Sequence, residues 1–265
     1  MSLSNIEEIA TFIVADGKGI LAADESNPTC GKRFDSIGVD STEENRRDYR
    51  ELLFRSKGMK GNIGGVILFD ETIRQKAKDG TLLRDIISDQ GALPGIKVDK
   101  GLQPIEDCPN ETVTVGLDGL DERLKEYSSM GAKFTKWRAV INIGDGIPTD
   151  KCIDANMQAL ADYAKCAQDN GMVPIVEPEV LMDGEHNIDQ CFEATERSLK
   201  SLFSHLEKAS VNIKGTLLKP NMVTSGKDAT DQASVEEVAQ KTLDCLIANV
   251  PVELPGITFL SGGQS

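Results

Sequence analysis

Charged and polar residues stand two positions apart where several apolar runs of this sequence end. The pairs are Asp24 with Ser26, Lys97 with Asp99, Lys136 with Arg138, and Glu177 with Glu179. Residues i and i+2 of a strand share a face, so each pair should point to one side of a sheet. Any single pair could equally be a salt bridge at a rim, but burying unpaired charge is costly. Several such pairs at equivalent places therefore favour a chemical role.

A lysine closes another apolar run, GTLLK at 215–219. A lysine acts as a nucleophile only when its amine is neutral, a state that burial and a neighbouring cation favour. Two leucines precede Lys219, and Lys136 could supply the cation. A carboxyl such as Glu177 or Asp24 could shuttle the protons that dehydrate a carbinolamine. The pattern predicts a Schiff-base site.

A possible phosphate site follows the last apolar run, at Ser-Gly-Gly 261–263. A hydroxyl beside close backbone amides suits an anion, and barrel enzymes often bind phosphate beside strands seven and eight. The motif is weak alone. Together with Lys97, Lys136 and Arg138 it suggests a phosphorylated carbonyl substrate.

Apolar runs of strand length alternate with helical patterns, which is typical of a parallel α/β fold. Polar residues at 222–234 indicate a loop, and capping boxes are predicted at Ser41 with Glu44 and at Ser234 with Glu237. The seven predicted strands are 18–24, 64–69, 94–98, 134–141, 172–177, 214–219 and 256–260.

Such β-α units form either an open doubly wound sheet or a closed barrel. No G-x-G-x-x-G motif follows the first predicted strand, so the dinucleotide-binding sheet is disfavoured. In a barrel the carboxyl ends of the strands converge, which would bring the separate charged pairs into one pocket. We expect one barrel domain over 1–265.

Composition narrows the function classes. A net charge of -14 argues against a nucleic-acid surface, so an anionic substrate needs a local basic pocket. Two histidines, His186 and His205, are too few for a three-histidine zinc site, and six scattered cysteines read as free thiols. We expect no cofactor and no metal, although carboxylate-bound ions are not excluded. The apolar runs are too short for a membrane span and residues 1–19 lack signal-peptide features, so a cytoplasmic or, as a mature protein, plastid-stromal location is expected.

Several motifs, in order and with family-like spacing over the whole chain, resemble class I fructose-bisphosphate aldolase. LLKPNMV and VPIVEPE are the most specific. The matching segments are GILAADES (19–26), TEENRR (42–47), GGVILF (64–69), GIKVDKG (95–101), VGLDGL (115–120), KWR (136–138), VPIVEPE (173–179), GTLLKPNMVT (215–224) and GITFLSGGQS (256–265).

The resemblance implies a TIM (β/α)8-type barrel that reversibly cleaves fructose 1,6-bisphosphate into dihydroxyacetone phosphate and glyceraldehyde 3-phosphate, in glycolysis, gluconeogenesis or the plastid carbon cycle. Homotetramers are usual in the family. By motif position Lys219 matches the imine-forming lysine, Glu177 the acid/base of imine formation, and Asp24 the carboxylate of carbon-carbon cleavage. The remaining matches are Lys136, Arg138 and Glu179 in the polar shell, Lys97 as a substrate-binding lysine, Ser261 with Gly262 at one phosphate, and Ser26 at the other.

Two departures from the family pattern stand out. Residues 24–30 read DESNPTC where many animal members begin DESTGS, closer to plant and algal versions, and Thr29 replaces the second phosphate-contacting serine with another hydroxyl. The family pattern also continues past Ser265 with an eighth strand, which carries a phosphate-binding arginine, and a tail ending in tyrosine. We therefore expect a C-terminally truncated member.

Two other functions remain open from the sequence. One is a catalytically silent fragment acting as a binding or scaffold protein, since the family binds cytoskeletal partners. The other is a different Schiff-base barrel, such as a transaldolase-like enzyme. That enzyme would place its lysine differently and should lack the KWR and EPE segments.

Overall fold

A computed structural model of the chain describes Leu3 and residues 5–259. No helix in this described part is both long and apolar enough to span a membrane. The strands are β1 (Gly19–Ala23), β2 (Ile63–Leu68), β3 (Leu93–Lys97), β4 (Leu102–Ile105), β5 (Cys108–Thr114), β6 (Phe134–Ile141), β7 (Val173–Val180) and β8 (Leu217–Leu218). The helices are α1 (Ile6–Ile13), α2 (Asn27–Asp35), α3 (Glu43–Phe54), α4 (Asp70–Arg74), α5 (Leu83–Asp89), α6 (Leu120–Ser129), α7 (Asp150–Asp169), α8 (Ile188–Lys208) and α9 (Val235–Asn249), with a 3-10 turn at Ile213–Gly215.

Six parallel strands form one sheet in the order β1-β2-β3-β6-β7-β8. The order follows the chain without reversal, as in a barrel, whereas a doubly wound sheet reverses at a switch point. The α/β barrel-type fold predicted from the sequence is confirmed. The prediction of a strand over 256–260 is wrong within the described residues, because Ile257 joins β8 only through an isolated parallel bridge to Leu218. That bridge still places the segment next in the barrel order.

An antiparallel hairpin of β4 and β5 was not predicted. It lies between β3 and α6. Asp107 and Asn110 adopt positive φ angles of 62° and 64° around its turn, a conformation that Asp and Asn tolerate better than most residues. Thr114 ties the end of the hairpin to the sheet by donating its hydroxyl to the carbonyl of Arg138 at 2.8 Å.

Helix starts follow local capping chemistry. The capping box predicted at Ser41 is wrong by one residue, because the Thr42 hydroxyl accepts from the amide of Asn45 at 3.1 Å. Ser234 is the N-cap of α9 as predicted and accepts from the amide of Glu237 at 3.1 Å. Residues 222–234 contain no helix or strand, which confirms the predicted loop.

Two apolar clusters support the sheet. The larger lies between the sheet and the surrounding helices, and the smaller joins α1 to the inward face of the strands. In the smaller cluster Ile13 and Phe134 are both fully buried. A Cβ atom at Gly95 would lie 2.3 Å from the Phe134 ring, so this strand position needs glycine. The α1 side of the sheet is therefore filled with apolar side chains.

Candidate active site

The inward face of each site-bearing strand changes from apolar to charged along its length. In β6 the alternate residues are Phe134, Lys136 and Arg138, and in β7 they are Val173, Ile175, Glu177 and Glu179. Phe134, Val173 and Ile175 belong to the α1 cluster, while the charged residues face a cavity. The period of two thus places these charges on the same face as the inner core but nearer the carboxyl ends of the strands.

A cavity of about 920 Å³ opens at the carboxyl ends of the strands. Ten of the side chains singled out in the sequence line it. They are Asp24, Ser26, Thr29, Lys97, Asp99, Lys136, Arg138, Glu177, Glu179 and Lys219. Ser261 and Gly262, which were also singled out, lie outside the described residues.

A chain of ion pairs joins four of these residues. Glu177 accepts from Lys219 through Oε1, and its Oε2 lies 2.9 Å from Lys136 Nζ. Lys136 Nζ also lies 3.2 Å from Asp24 Oδ2. Glu177 is only 2% exposed and Lys136 6%, so these charges compensate one another in a largely dry environment. The lysine amine, the carboxyl that contacts it and a second carboxyl are connected through one buried cation.

The protonation of Lys136 follows from this arrangement. Burial would lower the pKa of its ammonium group, but the charges of Glu177 and Asp24 outweigh burial and raise the pKa. Lys136 is therefore a fixed cation at neutral pH. It can stabilise negative charge on either carboxylate.

Two further pairs line the cavity. Arg138 donates through Nε to Oε2 of Glu179. Burial would lower the pKa of Arg138, but this hydrogen bond and the charges of the nearby carboxylates together raise it. Lys97 donates to Oδ1 of Asp99 at 2.5 Å and to its carbonyl at 3.2 Å. Each side chain of the sequence pairs Lys97/Asp99 and Glu177/Glu179 is thus engaged by an opposite charge.

The start of α2 forms another part of the wall. Ser26 is the N-cap residue of α2, and its hydroxyl lies 3.0 Å from that of Thr29 one turn later. Helix N-termini favour anions, because unpaired amides and the helix dipole both present positive charge there. Glu25, directly before Ser26, holds this segment in place, since its carboxylate accepts from Arg33 at 2.6 Å and from the Tyr49 hydroxyl at 3.1 Å.

Several lining residues were missed in the sequence because helices and loops supply them. Arg74 donates to Asp70 and, at 2.6 Å, to Glu126, while Tyr127 donates its hydroxyl to Asp70 at 2.8 Å. Arg123 donates to the carbonyl of Val98 at 2.9 Å. No local motif marks these residues. The only available signal was that helices following β1, β2 and the hairpin must border the mouth of a barrel.

The cavity differs in charge from the chain as a whole. Eight Lys and Arg side chains line it against seven Asp and Glu side chains, although the chain carries a net charge of -14. Among the described residues the cavity lining is thus close to neutral, which repels an anionic substrate less than the acidic chain as a whole would. Within the described residues, no group of three or more His, Cys, Asp and Glu side chains could hold a metal ion.

Comparisons with known proteins agree with this geometry. The family model described as "Glycolytic: Fructose-bisphosphate aldolase class-I" matches residues 5–265. A probable fructose-bisphosphate aldolase class 1 of Xanthomonas campestris is 56% identical over 100% of this chain and 79% of that protein. The cytosolic fructose-bisphosphate aldolase 4 of Arabidopsis thaliana is 50% identical over 97% of this chain and 65% of that protein.

A solved structure has the same fold. It is fructose-bisphosphate aldolase from Plasmodium falciparum in complex with TRAP and a small-molecule inhibitor, with a TM-score of 0.96 and 47% identity. The match covers 98% of this chain and 75% of that one. Sequence and structure together show that the chain belongs to the class I fructose-bisphosphate aldolase family.

Proposed function

We propose that this chain is an enzyme that reversibly cleaves fructose 1,6-bisphosphate into dihydroxyacetone phosphate and glyceraldehyde 3-phosphate through a Schiff base on Lys219. One observation carries the proposal: Lys219, Glu177, Lys136 and Asp24 form a continuous chain of ion pairs in a cavity of about 920 Å³. Family membership supports the same reaction.

Imine formation uses the contact between Lys219 and Glu177. The lysine passes a proton to Glu177 and its neutral Nζ attacks the ketone carbon of the substrate. The ketone oxygen takes up the proton that the attacking nitrogen releases, which gives a neutral carbinolamine. Glu177 then returns a proton to the departing hydroxyl, and water leaves. An iminium ion remains on Lys219.

Carbon-carbon cleavage uses the second carboxylate. Asp24 takes the proton of the hydroxyl on the far carbon of the bond that breaks, so that this oxygen becomes the aldehyde carbonyl and the electron pair of the bond moves towards the iminium. Glyceraldehyde 3-phosphate leaves and an enamine remains. Protonation of the enamine carbon and hydrolysis by one water release dihydroxyacetone phosphate and restore Lys219. Lys136 stays cationic and stabilises the carboxylates on either side of it.

The phosphates would be held away from Lys219. Ser26 and Thr29 at the start of α2, with Lys97 across the cavity, suit one phosphate, because they offer hydroxyls, a helix N-terminus and a cation. Arg138, oriented by Glu179, adds a second cation to the wall. Ser261 and Gly262 are proposed for the other phosphate from their motif position.

Borohydride trapping tests the proposal directly. Incubation with dihydroxyacetone phosphate followed by reduction should place a mass adduct on Lys219, as read by peptide mass spectrometry. Lys219→Arg keeps the positive charge but cannot form the imine, so it should give no adduct. An adduct on another lysine would refute the role of Lys219 and favour the different Schiff-base barrel, whereas no adduct on a chain shown to be folded would favour the silent scaffold.

The cellular setting is proposed from the family. We propose a homo-oligomer, a tetramer by analogy, acting in the cytoplasm with the plastid stroma as the alternative. The relative named as cytosolic supports the first location. Sedimentation of the purified chain would measure its oligomeric state.

A further inference from the structure

The strand edge that carries Lys219 loses its backbone hydrogen bonding at the point where the chemistry occurs. β7 and β8 pair at Ile175 with Leu217 and at Val176 with Leu218, and the Lys219 amide then donates to the Val176 carbonyl at 2.9 Å. Backbone amides cannot continue the pairing on either segment. Pro178, which follows Glu177 in β7, and Pro220, which follows Lys219, have no amide hydrogen to donate. Among the described residues, the bond from the Lys219 amide is therefore the last backbone hydrogen bond between β7 and residues 217–221.

A side-chain amide takes over where the prolines interrupt the edge. Oδ1 of Asn221 accepts from the backbone amide of Val180 at 3.2 Å. This bond joins a residue two positions after Lys219 to the residue directly after Glu179. The segment that carries Lys219 and the strand that carries both glutamates are thus bonded to each other at a point C-terminal to Lys219 and Glu177.

The other end of the same amide is anchored in the protein interior. Nδ2 of Asn221 donates to the Thr195 hydroxyl on α8 at 2.9 Å and to the Met222 carbonyl at 3.1 Å. Thr195 is 2% exposed, so its hydroxyl is held firmly by the packing of α8. Asn221 therefore connects three elements: the end of β7, the segment after β8, and α8.

We propose that Asn221 is a positioning residue that holds Lys219 at contact distance from Glu177. The inference rests on the proposed Schiff-base function. An asparagine is suited to the task because its amide accepts through Oδ1 and donates through Nδ2, two separate atoms that reach partners on different elements. Without the tie, Lys219 keeps its amine and its cavity but loses its alignment with the proton shuttle.

The test measures the rate constant of imine formation with dihydroxyacetone phosphate, by borohydride quench and mass spectrometry of the Lys219 peptide. Asn221→Ala should lower this rate constant about 10- to 100-fold, since misplacement of reacting groups by about 1 Å has effects of this size. The concentration of dihydroxyacetone phosphate that gives half-maximal rate should change less than about threefold, because the phosphate contacts are untouched.

A matched asparagine controls for loss of stability. Asn170 caps the end of α7 and donates through Nδ2 to Asp121 at 2.9 Å and to the Cys166 carbonyl at 2.9 Å, away from the cavity. Asn170→Ala should reduce the melting temperature comparably and leave the rate constant of imine formation unchanged. An equal slowing in both variants would overturn the positioning role.

Thr195 provides a second route that does not depend on the folding of the alanine variant. Thr195→Val removes the acceptor for Asn221 at similar volume and should slow imine formation about 3- to 10-fold, while Thr195→Ser keeps the hydroxyl and should stay within about twofold of wild type. A wild-type rate in both Asn221→Ala and Thr195→Val would overturn this inference while leaving the proposed function intact. Failure of the wild-type chain to label Lys219 would instead remove both.

Discussion

The two ends of the sheet are built from the same strands but have opposite characters. At the α1 end, the inward strand residues Phe134, Ile175 and Leu217 are fully buried and apolar, and they pack with Ile13 of α1 in one cluster. At the cavity end, two residues further along each strand, the inward positions are Lys136, Glu177 and Lys219. The same alternation of side chains along each strand therefore supplies both the packed core and the reactive site.

This contrast separates stability from chemistry within single strands. Apolar burial stabilises in proportion to the area removed from water, so the α1 end should dominate the folding free energy of this region. Ion pairs in a dry cavity offset their own desolvation at best, so the cavity end adds little net stability. Substitutions at the two ends should therefore affect different measurements.

The largest effect is expected at the cavity end. Glu177→Gln keeps the shape of the side chain but cannot accept or return a proton, so kcat for cleavage of fructose 1,6-bisphosphate should fall by about 100- to 10000-fold. Steady-state kinetics on the purified variant would measure it. The folded state should persist, because Lys136 retains Asp24 as a partner.

Glu111 offers a matched control for this loss. It is also 2% exposed and accepts from the Thr149 amide at 2.7 Å and hydroxyl at 2.6 Å, outside the cavity. Glu111→Gln should change the free energy of unfolding but leave kcat within about threefold of wild type. A kcat near the wild-type value in Glu177→Gln would contradict the separation of the two ends.

The complementary effect is expected at the α1 end. Phe134→Ala removes a fully buried ring beside Gly65 and Gly95 and should lower the free energy of unfolding by about 3–5 kcal/mol, as measured by urea denaturation. The rate of Lys219 labelling per folded molecule should change less than about threefold.

An exposed leucine provides the control for the loss of apolar side-chain atoms. Leu243 on α9 is 53% exposed, so Leu243→Ala should cost less than about 0.5 kcal/mol. If Phe134→Ala were to abolish labelling while the protein stayed folded, the apolar end would be part of the reactive site and the comparison would fail.

The sequence predicted the strand-borne half of the site for a physical reason. Spacing of two along a strand and convergence at the barrel mouth are rules of backbone geometry, so Asp24, Lys97, Lys136 and Glu177 were placed without coordinates. Arg74, Arg123 and Tyr127 were not, because they come from helices whose orientation depends on packing between distant segments.

The same limit explains the errors in the fold. The β4–β5 hairpin depends on positive φ angles at Asp107 and Asn110, which composition only weakly indicates. The 256–260 segment has strand-like residues, but its described part, residues 256–259, pairs through a single bridge at Ile257. Asn221 was missed because its side chain replaces backbone hydrogen bonds that Pro178 and Pro220 cannot make. A pattern of apolar residues does not indicate such a replacement.

The smallest expected effect lies at the boundary between the two regions. The ring of Tyr127 belongs to the apolar cluster outside the sheet, while its hydroxyl donates to Asp70 at 2.8 Å in the cavity wall. Burial, with a further contribution from Asp70, raises the pKa of Tyr127 to about 12. An unfolded tyrosine has a pKa of about 10.

The direction of the pH effect follows from proton counting. Between about pH 10 and pH 12 the folded chain keeps the phenolic proton that the unfolded chain releases, so stability falls as pH rises through this window. The contribution is fully present below about pH 10. In Tyr127→Phe it is absent, so the stability difference between wild type and variant should shrink by about 1–3 kcal/mol from pH 9 to pH 12. Other titrating groups cancel in this difference. Parallel urea-denaturation profiles of the two proteins across that range would show that the Tyr127 hydroxyl is solvated and not buried beside Asp70, and Tyr127 would then not join the two regions.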